Sequence, residues 1–531
     1  MDPVASAPLD DEAHLQAMGH KGELQRNFSL LSMLGLAFAI LNSWTALASS
    51  LGLALGSGGS TSVIWGLVTA GICNLCLAAS MAEFLSAYPT AGGQYHWVAV
   101  ITPKRWVALA SWITGWINVA GWLALTTSGG LLASQLISGL IYLYHPDFTL
   151  QPYQVWLIYV AWTPIAFVIN AFLNSVLHHV NRAAFIWSIS GFAIICITVL
   201  ACASPNYASA EFVFTQFINE TGWPDGIAWL LGLLQGGFGL TGYDAVAHMI
   251  EEIPNASVQG PKIMIYCVGI GTFTGFIFLM VLLFVSGGDA DALISSSSGP
   301  LLQILRNATS SRAGAVCLLM FPLVCILFAE TAIMTTSSRM TYAFARDGGL
   351  PMSKVFAKVH PRLGQPLNAL ILAASLTILF GLILIGSSSA FNALISASVV
   401  ALGVSYAIPV AINLCRGRRM LPPRAFSLPS PLGWIANLIG VAYTIVTTVL
   451  FLFPPVLPVT SSNMNYCVVA FGIILFISTF QWFVDGRKNF TGPRTDMGLE
   501  VLEAMKSREH ETSEGRHLKD GEEEPSPQIL A

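Results

Sequence analysis

The chain has 531 residues, of which 54% are hydrophobic and 10% charged, and its formal net charge at pH 7 is -4. Soluble domains carry about 25% charged residues, so this composition excludes an ordinary soluble protein and predicts a membrane protein. No basic tract typical of nucleic-acid binding is present, and the nine cysteines mostly lie in apolar runs rather than at metal-ligand spacings. We therefore expect no nucleic-acid partner, metal site or cofactor.

Apolar runs of the length that crosses a hydrocarbon core, about 20 residues, recur along the chain. The pattern predicts an all-α membrane protein with twelve transmembrane helices, between polar tails at residues 1–27 and 485–531. The predicted spans are residues 29–52, 62–86, 106–140, 154–175, 183–204, 226–250, 263–286, 314–340, 367–386, 391–414, 432–455 and 464–484.

The distribution of lysine and arginine predicts the orientation, because these residues favour the cytoplasmic side of a membrane. If the N-terminus is inside, the external loops contain only Arg306 and Arg312 of the 24 basic residues. Both termini are therefore expected in the cytoplasm. In that orientation Asn219 and Asn307, each in a glycosylation sequon, lie outside, where they are candidate glycosylation sites.

The sixth predicted span contains a feature that weakens a helix. Gly236, Gly237, Gly239 and Gly242 fall within seven residues, and each costs roughly 1 kcal/mol relative to alanine. Asp244 follows in an apolar run, where an ionised carboxylate costs about 3 kcal/mol. The pattern predicts a helix break beside a binding cavity near the bilayer midplane. The alternative is that the glycines let two helices pack closely.

The first predicted span is also interrupted near its middle, by Asn42, Ser43, Trp44 and Thr45. Serine and threonine compete for backbone hydrogen bonds, and asparagine breaks the apolar surface. Spans one and six occupy corresponding positions in two five-helix halves, where inverted-repeat transporters place their discontinuous helices. Alternatively, Asn42 and Thr45 bond across to neighbouring helices.

Three motifs resemble those of the amino acid/polyamine/organocation superfamily, and more narrowly the fungal amino acid/choline permeases, which include choline and GABA transporters. They are SMAEFLSAYPTAGGQYHW (Ser80 to Trp97), GYDAVAHMIEEIPNA (Gly242 to Ala256) and SRMTYAFARDGGLP (Ser338 to Pro351). The resemblance implies a LeuT-like fold, with inverted five-helix repeats at residues 28–204 and 226–414 and two peripheral helices at 432–484. Substrate would then lie between broken helices one and six.

The resemblance also implies which residues line the site. The break of the first helix falls at Trp44, Thr45 and Ala46, where Trp44 crowds the space of a substrate carboxylate. The aromatic residue that closes over substrate matches Phe238. The expected substrate-binding residues are Asn42, Ser43, Trp44, Thr45, Ala46, Phe238, Gly239, Thr241, Gly242, Tyr243, Asp244 and Glu330.

Asp244 and Glu330 are acids within predicted spans, and such acids need a partner, water or a proton. Either one could bind a substrate amine or carry a coupling proton, and nearby aromatic rings could add cation–π contacts. The hydroxyls of residues 335–338 (Thr335, Thr336, Ser337 and Ser338) could instead bind a sodium ion, although polar packing suits them better.

Charged residues near the predicted cytoplasmic ends of spans two and eight suggest an inner-gate ion network. The residues are Glu83, Arg339, Arg346 and Asp347, with a pair between Glu83 and Arg346 as the specific hypothesis. A static interfacial cluster is the alternative. His248, near the inner end of span six, is expected to be structural.

These features favour a secondary transporter of a small amine-bearing solute, such as choline, GABA or another amino acid, working by alternating access. No motif of a hydrolase or of an ATP-driven pump is present, so we expect no enzyme and no catalytic residues. The alternatives are import or export of a cationic specialised metabolite or polyamine, and a nutrient-sensing receptor. The plasma membrane is the expected location, with the vacuolar membrane as the alternative.

Overall fold

The computed structural model describes residue 35 and residues 39–173, 177–386, 389–461 and 463–493. Three predicted segments lie wholly or mostly outside this part of the chain. They are the N-terminal tail, the first residues of the first span and the C-terminal tail beyond residue 493.

The described residues form helices joined by short loops. Ten helices are long and apolar enough to cross a membrane, and each overlaps one predicted span. The helices used below are α1 (Ser43–Ser49), α2 (Gly59–Ala87), α3 (Gln94–Ile101), α4 (Lys104–Tyr144), α5 (Pro152–Phe172), α6 (His179–Ala203), α7 (Asp225–Gly239), α8 (Ala245–His248), α9 (Ala256–Phe284), α10 (Pro300–Thr309), α11 (Arg312–Arg346), α12 (Leu367–Gly386), α13 (Asn392–Cys415), α14 (Ser430–Leu450) and α15 (Cys467–Asn489).

The two remaining predicted spans, the first and the sixth, are the ones that the structure interrupts. The first break is Asn42, which separates the helical residues Ala39–Leu41 from α1. The break that the resemblance places at Trp44, Thr45 and Ala46 is not found there, because these residues are helical in α1. Its φ of 40° and ψ of 41° place it in the left-handed region, which asparagine tolerates better than most residues. The Asn42 carbonyl accepts hydrogen bonds from the amides of Thr45 and Ala46, at 3.0 and 2.9 Å, and so starts α1.

The second break spans residues 240–244, between α7 and the single turn of α8. It lies later than the glycine pattern predicts, because α7 continues through Gly236, Gly237 and Gly239. Only Gly242 lies in the break, and its φ of 101° is one that glycine adopts without strain. The centre of the break was therefore wrongly predicted, although the interruption itself is present.

The glycines within α7 serve close helix packing. A Cβ atom at Gly236 would lie 3.0 Å from the Cβ of Ala70 on α2, and one at Gly239 would lie 2.5 Å from Cγ of Leu47 on α1. Gly271 and Gly275 on α9 likewise leave room for Ser43 and Leu47 of α1. Gly236 and Gly239 thus serve helix packing, whereas Gly242 lies in the interruption.

The second break lies beside the residues that precede the first break. A Cβ at Gly242 would meet Cγ2 of Ile40 at 3.1 Å and Cδ2 of Leu125, on α4, at 3.2 Å. The Gln235 side chain of α7 donates a hydrogen bond to the Leu47 carbonyl at 2.7 Å, which satisfies a backbone group near the end of α1. The α4 helix, which packs against α3, α11 and α13, therefore faces the point where the two interrupted spans meet.

Candidate functional site

Asp244, at the end of the second break, is fully buried and saturated with hydrogen bonds. A carboxylate offers about four lone-pair directions, and this one accepts from five donors. Its oxygens therefore have no direction left for a substrate ammonium in this conformation. The donors are Gln94 Nε2 (2.8 Å), Asn118 Nδ2 (3.3 Å), Trp122 Nε1 (3.2 Å), Tyr406 OH (2.5 Å) and His248 Nε2 (3.1 Å).

These donors come from four different helices, α3, α4, α13 and α8. Asp244 consequently ties the part of the sixth span that follows the break to three neighbouring helices. Asn118 also donates to the hydroxyl of Ser405 on α13, at 2.9 Å, which joins α4 to α13 beside the carboxylate. The arrangement identifies Asp244 as a structural junction, which we call the Asp244 hub.

His248 extends the hub toward the loop before α3. Its Nδ1 lies 3.0 Å from the carbonyl oxygen of Ala91, and its Nε2 lies 3.1 Å from Asp244 Oδ2. The ring is fully buried and meets the Trp122 ring edge to face, at 5.9 Å between centroids. The amide of Ala91 donates to Glu251 Oε1 at 3.1 Å, so the backbone of a single residue, Ala91, links His248 to Glu251.

Glu330 presents the opposite situation. It is fully buried within α11, and neither carboxylate oxygen has a hydrogen-bond partner among the described residues. The Thr163 hydroxyl is nearby but donates to the Tyr159 carbonyl, at 3.4 Å. Gly129 and Gly130 of α4 make room for the acid, since a Cβ at Gly129 would lie 3.3 Å from Glu330 Oε2.

The first break supplies polar groups that the protein leaves unused. Ser43 Oγ and Thr45 Oγ1 are buried and have no hydrogen-bond partner within the part of the chain described. Burying an unpaired hydroxyl costs about 1–3 kcal/mol, so these groups are candidates for a ligand contact. Ala46, in contrast, already uses its amide within α1 and its carbonyl for the Ser50 hydroxyl, at 2.6 Å.

Trp44 is packed between two helices. Its Nε1 donates to Ser188 Oγ on α6 at 2.8 Å, and its ring meets the Phe278 ring of α9 at 4.8 Å. The ring belongs to a helix interface, so the expectation that Trp44 crowds a substrate carboxylate lacks support in this packing. An α-amino acid substrate is no longer disfavoured on that ground.

The remaining predicted residues surround the second break. Phe238 is buried on the last turn of α7, and the Thr241 hydroxyl caps that helix by donating to the Gly237 carbonyl at 2.7 Å. The Tyr243 ring lies 4.8 Å from the Tyr406 ring, and its hydroxyl is buried without a partner among the described residues. Tyr243 therefore offers both an aromatic face and an unused hydroxyl.

Two ion pairs join the C-terminal half of α11 to the segment after α8. Arg346 lies 3.3 Å from Glu251, and Arg339 lies 3.2 Å from Glu252. All four side chains are largely buried, so each charge depends on its partner. We call these two pairs the gate pairs, after the inner-gate network that the sequence predicts.

The other two residues of the predicted network bind elsewhere. Asp347 accepts a hydrogen bond from the Tyr95 hydroxyl of α3, at 2.8 Å. Glu83 does not pair with Arg346, and this specific prediction is wrong. Glu83 instead binds Arg418 at 2.7 Å and also Arg424, because the loop between α13 and α14 passes over the end of α2.

The hydroxyl cluster near the middle of α11 is mostly used in packing. Thr336 and Ser338 donate to backbone carbonyls of their own helix, at 3.1 and 2.7 Å. Thr335 bonds to Asn170 of α5. Only the Ser337 hydroxyl, within this cluster, is buried without a partner among the described residues. The cluster as placed does not present converging oxygens for a sodium ion.

Comparison with known proteins now identifies the family. A family model described as amino acid permease matches residues 29–476, which is most of the chain. The chain belongs to the amino acid permease family.

Several named relatives of this permease family align over nearly the whole chain. A protein of Macrophomina phaseolina named as an amino acid/polyamine transporter is 37% identical, over 82% of this chain and 97% of its own length. A choline transporter of Saccharomyces cerevisiae is 34% identical, over 91% and 86% respectively. The amino-acid permease BAT1 of Arabidopsis thaliana is 31% identical, over 91% and 96%. The chain is thus a membrane transporter rather than an enzyme.

Several permease residues of this site were missed by sequence reasoning. The missed acids Glu251 and Glu252 are consecutive and directly follow an interrupted span, and their partners, the predicted gate residues Arg339 and Arg346, are seven residues apart on one face of α11. That spacing could have indicated the gate pairs. The donors Gln94 and Tyr406 gave no such signal, because they reach Asp244 only through the packing of distant helices.

The two predicted glycosylation sites of the permease differ in how their amide nitrogens are used. The Asn219 Nδ2 donates to the Trp223 carbonyl at 2.7 Å and to Asp225 Oδ1 at 2.9 Å, which uses both of its hydrogens. Asn307 is exposed on α10, and its Nδ2 makes one bond, to the Ser286 carbonyl at 3.1 Å. The geometry favours Asn307 as an acceptor over Asn219.

Proposed function

We propose that this permease-family chain is a secondary transporter that moves a small amine-bearing solute across a membrane by alternating access. In this proposal it has twelve spans, ten of them arranged as two inverted five-helix repeats, and both termini in the cytoplasm. The substrate binds where the two interrupted spans meet. The plasma membrane is the expected location, and the vacuolar membrane is the alternative.

The observation that carries the proposal is the proximity of the two breaks. In lipid, irregular backbone is tolerated only against protein or a polar cavity, so the position of Gly242 beside Ile40, two residues before the first break, favours a shared site. The unused hydroxyls of Ser43, Thr45 and Tyr243 lie on the segments that form these breaks. They can orient a small polar solute.

Of the two acids, Glu330 is the better candidate for the substrate amine or for a coupling proton. Gly129, which faces Glu330, lies one helical turn after Leu125, which faces Gly242. Glu330 is therefore about one turn of α4 away from the second break and on the same face. Its free carboxylate oxygens can pair with an ammonium group or take up a proton.

A competition panel tests the substrate class. Uptake of labelled choline and of labelled GABA is measured in cells that express the chain, against excess unlabelled choline, GABA, amino acids and polyamines. The proposal expects one amine-bearing class to compete strongly and neutral solutes of similar size to compete weakly. Equal competition by solutes without an amine would contradict it.

The alternative of a nutrient-sensing receptor is separated by flux. Reconstituted vesicles that contain the chain should accumulate labelled substrate, and vesicles without it should not. Saturable binding of the same substrate with no flux in either direction would favour the receptor. The coupling ion and the direction of transport follow from repeating the flux measurement under imposed proton and sodium gradients.

Glycosylation gives an independent test of the orientation. We propose that Asn307 is modified and lies outside. Glycosidase treatment should then shift the electrophoretic mobility of the wild-type chain and of Asn219→Gln, but not that of Asn307→Gln. A shift that is lost only in Asn219→Gln would contradict the assignment.

A further inference from the structure

The hydrogen bonds of His248 require one proton more than a neutral network can supply. Both of its ring nitrogens lie within 3.1 Å of an acceptor, the Ala91 carbonyl oxygen at one end and Asp244 Oδ2 at the other. A neutral imidazole has a single N–H and can satisfy only one acceptor. Two acceptors at hydrogen-bond distance therefore mean that an extra proton lies on His248 or on Asp244.

The surroundings of Asp244 Oδ2 favour the histidine. That oxygen already accepts hydrogen bonds from Gln94, Asn118 and Trp122, and the other carboxylate oxygen accepts from Tyr406. A proton on Oδ2 could reach Nε2 of a neutral ring, but that oxygen would then be a hydroxyl with too few lone pairs for its three N–H donors. Four donors aimed at the carboxylate hold it ionised, so the proton belongs to the ring.

We propose that His248 is an imidazolium in this conformation. We also propose that its ring binds and releases a proton during the transport cycle, at the second break and apart from the substrate. The role of this proton in the transport cycle rests on the proposed transport function, whereas the imidazolium assignment does not. The class of ligand is a proton.

The charge on His248 lies in a defined setting. Asp244 is its ion-pair partner, and Tyr406 of α13 faces that carboxylate. Tyr243 in the break and Cys267 of α9 are also close to Asp244. The amide of Ala91, the residue whose carbonyl faces His248, donates to Glu251, which is paired with Arg346 of α11.

The second pair, Arg339 with Glu252, lies on the same side of the break. Glu251 and Glu252 are therefore each balanced by an arginine, and Asp244 is the ionised neighbour of the His248 ring.

The proton has a mechanical consequence. As an imidazolium, His248 donates both to Asp244 and to Ala91, and so fastens α8 to the loop whose amide holds Glu251. Loss of the proton removes one of the two N–H donors. Either the bond to the Asp244 hub or the bond to the loop beside the gate pairs must then break. Proton release therefore loosens the attachment of α8 on the side of the site where the gate pairs lie.

The protonation state can be read without any transport assay. The protein is labelled with 15N-histidine, and its ring N–H groups are observed at pH 7 after transfer into a membrane mimic. We expect one ring with two N–H signals that are both protected from solvent exchange, because His248 is buried. These signals should disappear in His248→Gln and persist in His145→Gln, a control at an exposed position.

If every protected ring in the wild-type spectrum carries a single N–H, the imidazolium assignment is overturned whatever the protein transports. This reading needs only the wild-type chain, so it holds even if His248→Gln does not fold.

The role in transport is tested by comparing two kinds of flux in proteoliposomes. Accumulation driven by a proton gradient requires the proton to be released and rebound, whereas exchange of labelled for unlabelled substrate does not. We expect His248→Gln to lose gradient-driven accumulation by at least about tenfold while exchange stays within about threefold of wild type, a separation of about 0.7 kcal/mol or more. His145→Gln should keep both.

Full gradient-driven accumulation in His248→Gln would overturn the coupling role. Absence of any flux by the wild-type chain would instead contradict the proposed transport function. The spectroscopic result would still decide the protonation state.

Discussion

Asp244 and Glu330 are both fully buried acids in an apolar bundle, yet their surroundings are opposite. Asp244 has five hydrogen-bond donors, and Glu330 has none among the described residues. A buried carboxylate that is fully paired holds helices together, whereas one that is unpaired is available to a cation or a proton. The difference shows that burial alone does not identify a substrate-binding acid.

The largest expected effect is that of Asp244→Asn. The amide of asparagine places an N–H₂ group where the wild-type oxygen accepts from several donors, and it leaves His248 without its counter-charge. We expect a loss of about 3 kcal/mol or more of stability. Fluorescence-detected size-exclusion chromatography and thermal unfolding of the purified protein measure this. An unchanged melting temperature would break the contrast between the two acids.

Glu330→Gln should give the reverse result for stability. The substitution removes a buried ionisable group that has no partner among the described residues, so the melting temperature should stay the same or rise. The exposed Glu220 provides the matched control in Glu220→Gln. If Glu330→Gln destabilises the protein as much as Asp244→Asn does, then Glu330 is also a structural acid.

A charge swap tests the ion pair between Glu251 and Arg346, one of the two gate pairs. We expect Glu251→Arg and Arg346→Glu each to lower the transport rate about tenfold, because each leaves a largely buried charge unpaired. The double variant should recover to within about threefold of wild type.

The comparison swap uses the pair that the sequence suggested. Glu83→Arg combined with Arg346→Glu should show no recovery, since the partners of Glu83 are Arg418 and Arg424. Recovery in this second double variant would contradict the observed pairing.

The smallest expected effect is that of Gly129→Ala. The added methyl group would lie 3.3 Å from Glu330 Oε2 and would narrow the space beside that acid. We expect about a threefold increase in KM with little change in stability. Gly269→Ala is the control, since a Cβ there meets nothing within 4 Å. Equal KM values for both variants would mean that substrate does not approach Glu330 from the α4 side.

The spans themselves could be predicted from the sequence, because hydrophobic length is a local property. The interruption at Asn42 could be predicted for the same reason, since asparagine and the following Ser43 disturb an apolar helix locally. The second break lies later than the pattern predicts, because three of the four glycines lie within α7, where Gly236 and Gly239 pack against Ala70 and Leu47 and Gly237 faces Tyr443 and Val399. Composition cannot distinguish a glycine that packs from one that turns the chain.

The roles of the charged residues could not be predicted to the same extent. Gln94, Asn118 and Tyr406 reach Asp244 from positions more than 120 residues away in sequence. Glu83 finds its partner Arg418 across 335 residues. Such partners depend on which helix faces pack together, so the saturation of Asp244 and the isolation of Glu330 are visible only in three dimensions.

The account is tested most directly by the flux of labelled choline or GABA into proteoliposomes that contain equal amounts of folded wild-type or Glu330→Gln protein. We predict saturable accumulation by the wild type and a decrease of at least about tenfold in the variant, corresponding to about 1.4 kcal/mol. Equal accumulation by both proteins would contradict the assignment of Glu330 to the amine or to a coupling proton.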